Sequence, residues 1–295
     1  MEQTLENLFY TTNFYLRKLM IRVLVDNLPS DCGLLEPEHG LSFYIETNEA
    51  NILFDMGRSD KFLHNAKKMD IDLSKVDFGV VSHAHSDHTG GLPYFLEAVP
   101  DVDVFLSEEI FGSKYFSTRR AERSDLTPDF AALEKYSHRL RRLTNSLWLT
   151  KNIALVDCSG EHSADLYGNS FLYRELPDGQ IVRDDFNHEM ALVFKLSCGV
   201  VIVSSCSHNG VANIIRKCCE FTDESCVVAF IGGFHIVESD YLDDEVNSLV
   251  KELEEFDLER IYTGHCTCRS AFMTLRREYN CRCEPFGTGS FIFLR

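Results

Sequence analysis

Six residues, His83-Ala84-His85-Ser86-Asp87-His88, constrain this chain more than any other stretch. Three imidazoles and a carboxylate crowd directly behind the apolar run VDFGVVS and ahead of Gly90-Gly91. A short apolar run of this kind reads as a buried strand. Side chains two apart in an extended segment point the same way, so His83 and His85 can grip one ion together. Once the chain turns, Asp87 and His88 can face a second ion. The glycine pair lets the backbone pass close to the site and enter a helix. Imidazole nitrogen with carboxylate oxygen suits zinc, iron or manganese. A surface histidine cluster would leave the buried strand, the interleaved aspartate and the glycines unexplained.

The rest of the chain supplies strands and helices around that motif. Strand-type runs fall at residues 21–25, 41–47, 50–57, 75–82, 102–107, 153–158, 170–176, 190–205, 226–233, 260–264 and 289–295. Helical segments are predicted near 59–69, 93–99, 209–221, 243–256 and 270–279. Two sheets with helices packed outside would bury all of these faces in one domain spanning 20–295, with residues 1–19 as an appendage. Residues 108–150 differ: they read as a helical, polar insertion carrying Arg119, Arg120, Arg123, Arg139, Arg141 and Arg142.

Composition narrows the partners. The 295 residues carry 46 acidic and 29 basic side chains, a formal charge of -17. Phosphate neutralisation along DNA or RNA needs a net basic face, so bulk nucleic-acid binding is disfavoured. No stretch reaches the roughly 18 to 20 apolar residues that span a bilayer. The first residues lack a secretory pattern, and eleven cysteines cannot all pair within one chain. A reducing cytoplasm is the expected setting, with most thiols buried as small hydrophobes.

Downstream, further ionisable residues fall at strand ends. His208 lies between an apolar strand and a helix, the same setting as the first motif, and is a candidate ligand. His235 follows CVVAFIGG and should point into the same cleft, as a contact to substrate or metal. The pairs Cys266/Cys268 and Cys281/Cys283 have one residue between the thiols, against the two usual in zinc knuckles, so separate thiols are expected.

HAHSDH resembles the HxHxDH signature of the metallo-β-lactamase superfamily. The words LVDN (24–27), DDFNHEMALVF (184–194), SCSHNG (205–210), GGFH (232–235) and TGHCTC (263–268) are similar to those of its dihydropterin-ribofuranosyl-aminobenzene-phosphate synthase-like branch. The likeness runs in order from Met20 to the end of the sequence, with HCTC in place of the branch's HCTG. It implies an α/β fold, the αββα four-layer sandwich, with a dinuclear site at one edge of its sheets. It also implies that Asp55 in LFDMG supports the histidine loop and that His265 is a ligand of the second metal. His188 or Glu189 falls near the superfamily's third ligand histidine, so the third ligand of the first metal stays open between these and His208. Cys206 stands where the superfamily often has a bridging aspartate, as a ligand, a nucleophile or a buried thiol.

The expected chemistry is hydrolysis of an ester or phosphodiester by metal-bound hydroxide, with two divalent ions, zinc foremost and manganese or iron as alternatives. Asp87 would bind metal and orient the attacking oxygen, with His235 beside it. Arg119, Arg120 and Arg123 are candidates for the phosphate of a small substrate. The branch name implies instead a pterin or phosphoribosyl-type synthase reaction. A non-hydrolytic di-iron redox or ligand-binding role is a third reading.

Overall fold

The computed structural model describes residues 15–30, 33–160 and 166–295. Two seven-strand paths form the interior. The first runs, in spatial order, Phe291–Leu294, Leu19–Val25, Ser42–Thr47, Asn51–Phe54, Phe78–Val80, Asp103–Ser107 and Leu140–Leu143. Its first three pairings are antiparallel and its last three parallel. The second runs Cys283–Pro285, Ile261–Thr263, Cys226–Ile231, Gly199–Val203, Met190–Leu196, Ile153–Asp157 and Leu147–Trp148.

Alternation along the strands explains why two sheets must stack. Phe43 and Ile45, with Ile52 and Phe54, face a core shared with Leu155, Leu192, Val201 and Val203 of the other sheet. The intervening Tyr44 and Leu53 face outward, against Phe62 and Ala66 of the helix Lys61–Lys68 and Phe95 of the helix Leu92–Ala98. In the second sheet Val200 and Ile202 turn away from the shared core, toward the helices Val211–Thr222, Leu242–Leu253 and Arg269–Tyr279. Strands buried on both faces read as nearly continuous apolar runs, as these do. The result is the expected αββα sandwich.

The segment 108–150 departs from the helical expectation. It holds one short α-helix, Phe130–Glu134, and four strands. Lys114–Ser117 and Ser124–Asp125 join Leu172–Glu175 and Ile181–Arg183 in a small third sheet. Leu140–Leu143 and Leu147–Trp148 extend the two main sheets. Local polarity masked these strands: three of them sit at sheet edges, and Lys114–Ser117 is an inner strand of the small third sheet. In both settings tertiary pairing overrides propensity.

Most of the arginines there are committed to the fold. Arg139 is buried and donates to the carbonyls of Leu96, Val99 and Val102 at 2.6, 2.6 and 2.8 Å. Arg141 pairs with Asp103, and Arg142 pairs with Glu108 and covers the Phe111 ring. The appendage of 1–19 falls mostly outside the described residues. Its described end is anchored: Leu16 is buried and its N–H donates to the Lys195 carbonyl at 3.3 Å. Among the described residues, no helix is long and apolar enough to cross a membrane.

Candidate metal centre

Most of the candidate side chains leave the carboxyl end of a strand, whereas His188 and Glu189 lie just ahead of Met190–Leu196. Asp55 follows Asn51–Phe54, and the histidine motif follows Phe78–Val80. Cys206 and His208 follow Gly199–Val203, His235 follows Cys226–Ile231, and His265 follows Ile261–Thr263. Crevices outside such strand ends are the usual ligand sites of open α/β sheets. The backbone is unusual here. Asp55, Ser207, His235 and His265 all adopt left-handed φ, between 49° and 59°. Residues with a Cβ visit that region rarely, and such residues concentrate at functional sites. The glycine pair behaves as its sequence suggests: a Cβ on Gly91 would stand 2.0 Å from the Met56 carbonyl oxygen.

Among the described residues four groups of three candidate donors lie close together, and the two without cysteine share no residue. The donor atoms of His83, His85 and His208 lie within 4.8 Å of one another, as do those of Asp87, His88 and His265. In the second trio His88 Nε2 is 3.1 Å from His265 Nε2 and 3.3 Å from Asp87 Oδ2. The remaining edge, Asp87 Oδ2 to His265 Nε2, is 3.6 Å. A tetrahedral ion with bonds of about 2.0–2.1 Å has ligand-to-ligand edges of roughly 3.3–3.4 Å, so the trio matches. The first trio carries a different sign of fit. The Nε2 atoms of His83 and His208 are buried with no hydrogen-bond partner among the described residues. An orphaned buried polar atom costs about 1–3 kcal/mol, which an ion bound between them would offset.

The other ring nitrogens are held. Asp55 Oδ2 lies 2.8 Å from His88 Nδ1, and Asp55 also accepts both the N–H and the hydroxyl of Ser82. The Ser82 hydroxyl meets His83 Nδ1 at 2.8 Å. Asn169 Oδ1 meets His208 Nδ1 at 3.0 Å, and Asn27 Oδ1 meets His265 Nδ1 at 3.2 Å. Such partners fix ring orientation and tautomer.

Burial, with the neighbouring imidazoles, keeps His83, His208 and His265 well below the ordinary histidine range. A neutral imidazole is the form that ligates. At His88 burial again opposes charge, but Asp87 and Asp55 outweigh it and hold the group at about 10. Burial would raise Asp87, yet His88 draws it well below the carboxylate range. A cation held by this trio would have to displace the His88 proton, so its affinity would rise with pH.

His188 and Glu189 are brought to the site but in supporting positions. His188 Nδ1 accepts the Ala84 N–H at 3.2 Å and its Nε2 faces Asp184 at 3.2 Å. Glu189 accepts the N–H groups of His208 and Asn209 and the Asn209 side-chain amide, at 2.8, 2.7 and 2.9 Å. His208, rather than either of these, completes the first trio. The His235 ring packs against that of His208, tilted by 57° with centroids 4.2 Å apart, and its buried Nδ1 has no partner among the described residues. Burial and then His85 push its pKa down to about 3.

The three candidate arginines divide. Arg123 packs over the Phe116 ring and pairs with Glu175 at 3.4 Å. Arg119 and Arg120 are exposed in the turn between Lys114–Ser117 and Ser124–Asp125, and the Arg119 charge is felt at His235. The four cysteines read as separate thiols are separate: Cys268 caps the helix Arg269–Tyr279, Cys283 is in the core and Cys281 is exposed.

Sequence reasoning missed Asp184, His39, Asn27 and Asn169 as site residues. Asp184 is buried, 3.4 Å from His85 Nε2, and His188 and His85 overcome burial to hold it below the carboxylate range. The signal was present in DDFNHE, four residues ahead of His188. His39 lies 3.5 Å from Asp87 and stacks on His265.

One supporting carboxyl group titrates near neutrality. Asp26 sits behind His265, and burial pushes it up to about 7 against backbone hydrogen bonds from Leu28, His265 and Asn27. A carboxyl group raised on folding favours the protonated folded state. Its cost is therefore absent below the unfolded value near 4, grows as pH rises, and is complete above about 7. Three units correspond to about 4 kcal/mol at most. Asp26→Asn should flatten this slope in thermal denaturation of chelator-treated protein between acid and pH 8. An unchanged slope in that variant would assign the pH dependence elsewhere.

With this geometry in hand, similarity to known proteins is specific. The profile of the Metallo-beta-lactamase superfamily matches residues 35–189. The chain is 29% identical over 269 residues to the 7,8-dihydropterin-6-methyl-4-(beta-D-ribofuranosyl)-aminobenzene-5'-phosphate synthase of Methanocaldococcus jannaschii, covering 86% of this chain and 90% of that protein. A crystal structure described as a metal-dependent hydrolase of the beta-lactamase superfamily aligns at a TM-score of 0.77 and 28% identity, over 93% of this chain and 98% of that one. The metallo-beta-lactamase fold protein YhfI of Bacillus subtilis aligns at a TM-score of 0.54 and 11% identity, over 94% and 99% of the two chains, a likeness of fold alone.

Proposed function

Because this chain belongs to the metallo-β-lactamase superfamily, we propose that it is a metal-dependent hydrolase of an ester or phosphodiester bond in a small molecule. Its ligands would be His83, His85 and His208 for one divalent ion and Asp87, His88 and His265 for the other, with zinc preferred over manganese or iron. The observation that carries this reading is the pair of buried donor trios. Bound there, two divalent cations would activate water near neutral pH and polarise the scissile group.

The chain's own residues support the rest. Asp87, held ionised by His88, can accept a hydrogen bond from the attacking water and aim it. His235, neutral and with Nδ1 unpartnered, can hydrogen-bond the substrate at the open side of His208. A cavity of about 500 Å³ is lined by Asn169, Asp184, Phe186 and Phe234, not by the trio itself; the first three of these contact His208 or His85. Phe186 lies flat on His208, with ring centroids 4.4 Å apart. That volume suits a small ligand with an aromatic or apolar body. Arg119 and Arg120, exposed in the turn after Lys114–Ser117, would be the groups to receive a phosphate on such a molecule. Buried free thiols such as Cys158 and Cys218 support a reducing, cytoplasmic setting.

Two metal ions per chain, with turnover of bis(p-nitrophenyl) phosphate or an aryl ester that chelation abolishes and zinc restores, is the expected result. A coloured di-iron protein without hydrolysis would sink it. The name of the archaeal relative favours a second reading, a pterin and ribofuranosyl-phosphate synthase reaction at the same centre. Turnover in heavy-oxygen water separates them: hydrolysis places a solvent oxygen in a product, whereas a synthase joins two substrates.

A further inference from the structure

We infer that Glu245 sets the specificity of the cavity beside His208, selecting a small molecule whose aromatic body carries a cationic amine or amidine. As a statement about substrate, this rests on the hydrolase reading above. The helix Leu242–Leu253 supplies one wall. Glu245, Ser248, Leu249 and Glu252 recur at three- and four-residue spacing, so one face of that helix lines the cavity. A charged amphipathic helix ordinarily turns such carboxylates to water. Glu245 is instead half-buried, and its two oxygens differ. Oε1 accepts the Tyr167 N–H at 2.8 Å, which holds the side chain in place. Oε2 is buried and has no hydrogen-bond partner among the described residues. Burial pushes the carboxyl above the ordinary glutamate range, against the Tyr167 N–H. A donor reaching Oε2 would satisfy that oxygen, and a cationic donor would do so most strongly.

The rest of the lining points to the same chemistry. Asp244 and Glu252 add two carboxylates, against Arg183 as the one basic residue of the described lining. Asp184, the remaining acid, is already engaged by His85 and His188. A metal ion is the poorer occupant, because no close group of donors among the described residues includes Asp244, Glu245 or Glu252. Aromatic rings complete the walls, with Tyr167 and Tyr241 packed at a centroid separation of 5.4 Å. Such rings hold a flat apolar body and attract a cation to their faces. Phe186 ties the cavity to the metal centre through its stack on His208. A ligand filling the space would touch that wall and Glu245 together.

Calorimetric titration of the zinc-loaded protein with benzamidine, and with its neutral isostere benzamide, tests this without any turnover. Benzamidine should bind at least about tenfold more tightly than benzamide. Glu245→Gln keeps an acceptor for the Tyr167 N–H and should erase that preference. Its benzamide affinity should stay within about twofold of wild type, which also shows that the pocket is intact. Glu252→Gln, on the same helix face, should keep most of the preference. A wild type that binds both probes equally, or neither, overturns the inference whatever the hydrolysis assay shows. So does a preference that survives Glu245→Gln, or one lost equally in Glu252→Gln, which would assign it to the general acidity of the face. A preference carried by Glu245 in a protein without hydrolysis would keep the cation site and overturn the hydrolase reading.

Discussion

Replacing His83 and His85 together by alanine is expected to remove metal binding at the first trio and with it all measurable hydrolysis. Two of three donors are lost, and His208 alone cannot hold a divalent ion in a tetrahedral site. The loss of transition-state charge stabilisation is several kcal/mol, a fall of about a thousandfold or more in kcat. The fold should survive. Both rings sit at a strand end rather than in the sheet core, and their removal also removes the orphaned Nε2 of His83. Metal analysis, circular dichroism and turnover on one preparation check the three parts. Retained metal and retained turnover would defeat the proposed mechanism.

Glu189→Ala should have the largest effect on stability of any change near the site. Its carboxylate accepts three N–H donors from His208 and Asn209, all buried. Deleting it strands those donors, at a cost of about 3–5 kcal/mol and a fall of about 10 °C in Tm. Because the same contacts set the position of His208, metal affinity at the first trio should drop about 10- to 100-fold. Glu189→Gln keeps an acceptor for His208 but opposes an amide to the Asn209 N–H, so its Tm should fall between the two. That variant should keep the wild-type metal stoichiometry. Loss of an ion from the Gln variant, with Tm unchanged, would make Glu189 a ligand instead of a brace.

The contrast between His208 and Glu189 shows where the sequence was legible. The candidate ligands at strand ends were readable because each lies at a junction of apolar run and loop, and the junction leaves a local trace. His83, His85, Asp87, His88, His208 and His265 all have that trace, and the structure brings them into two trios. The braces have none. Asn27 and Asn169 are ordinary loop residues until the fold sets them against His265 and His208. Asp184 could have been suspected from its neighbours, but its partner His85 is 99 residues away. The sandwich was readable from buried apolar runs such as Gly199–Val203, whereas the strands of 114–148 are short, more polar and specified by their neighbours. For the same reason Arg139 read as part of a polar helical insertion, although it is buried against three carbonyls from other segments.

One contact has a consequence for assembly. Asn27 holds the His265 ring, and just beside it the Asp26 N–H donates to the hydroxyl of Thr288, 262 residues further along the chain. The strand bearing Asp26 is flanked on one side by Ser42–Thr47 and on the other by Phe291–Leu294. Contacts of such sequence separation form late, because the intervening chain must be ordered or closed first. The residues of the His83–His85–His208 trio all lie ahead of position 209, whereas the other trio also needs His265, beside the strand pair that Phe291–Leu294 completes. The last strand is therefore expected to matter more to the Asp87–His88–His265 trio than to the first.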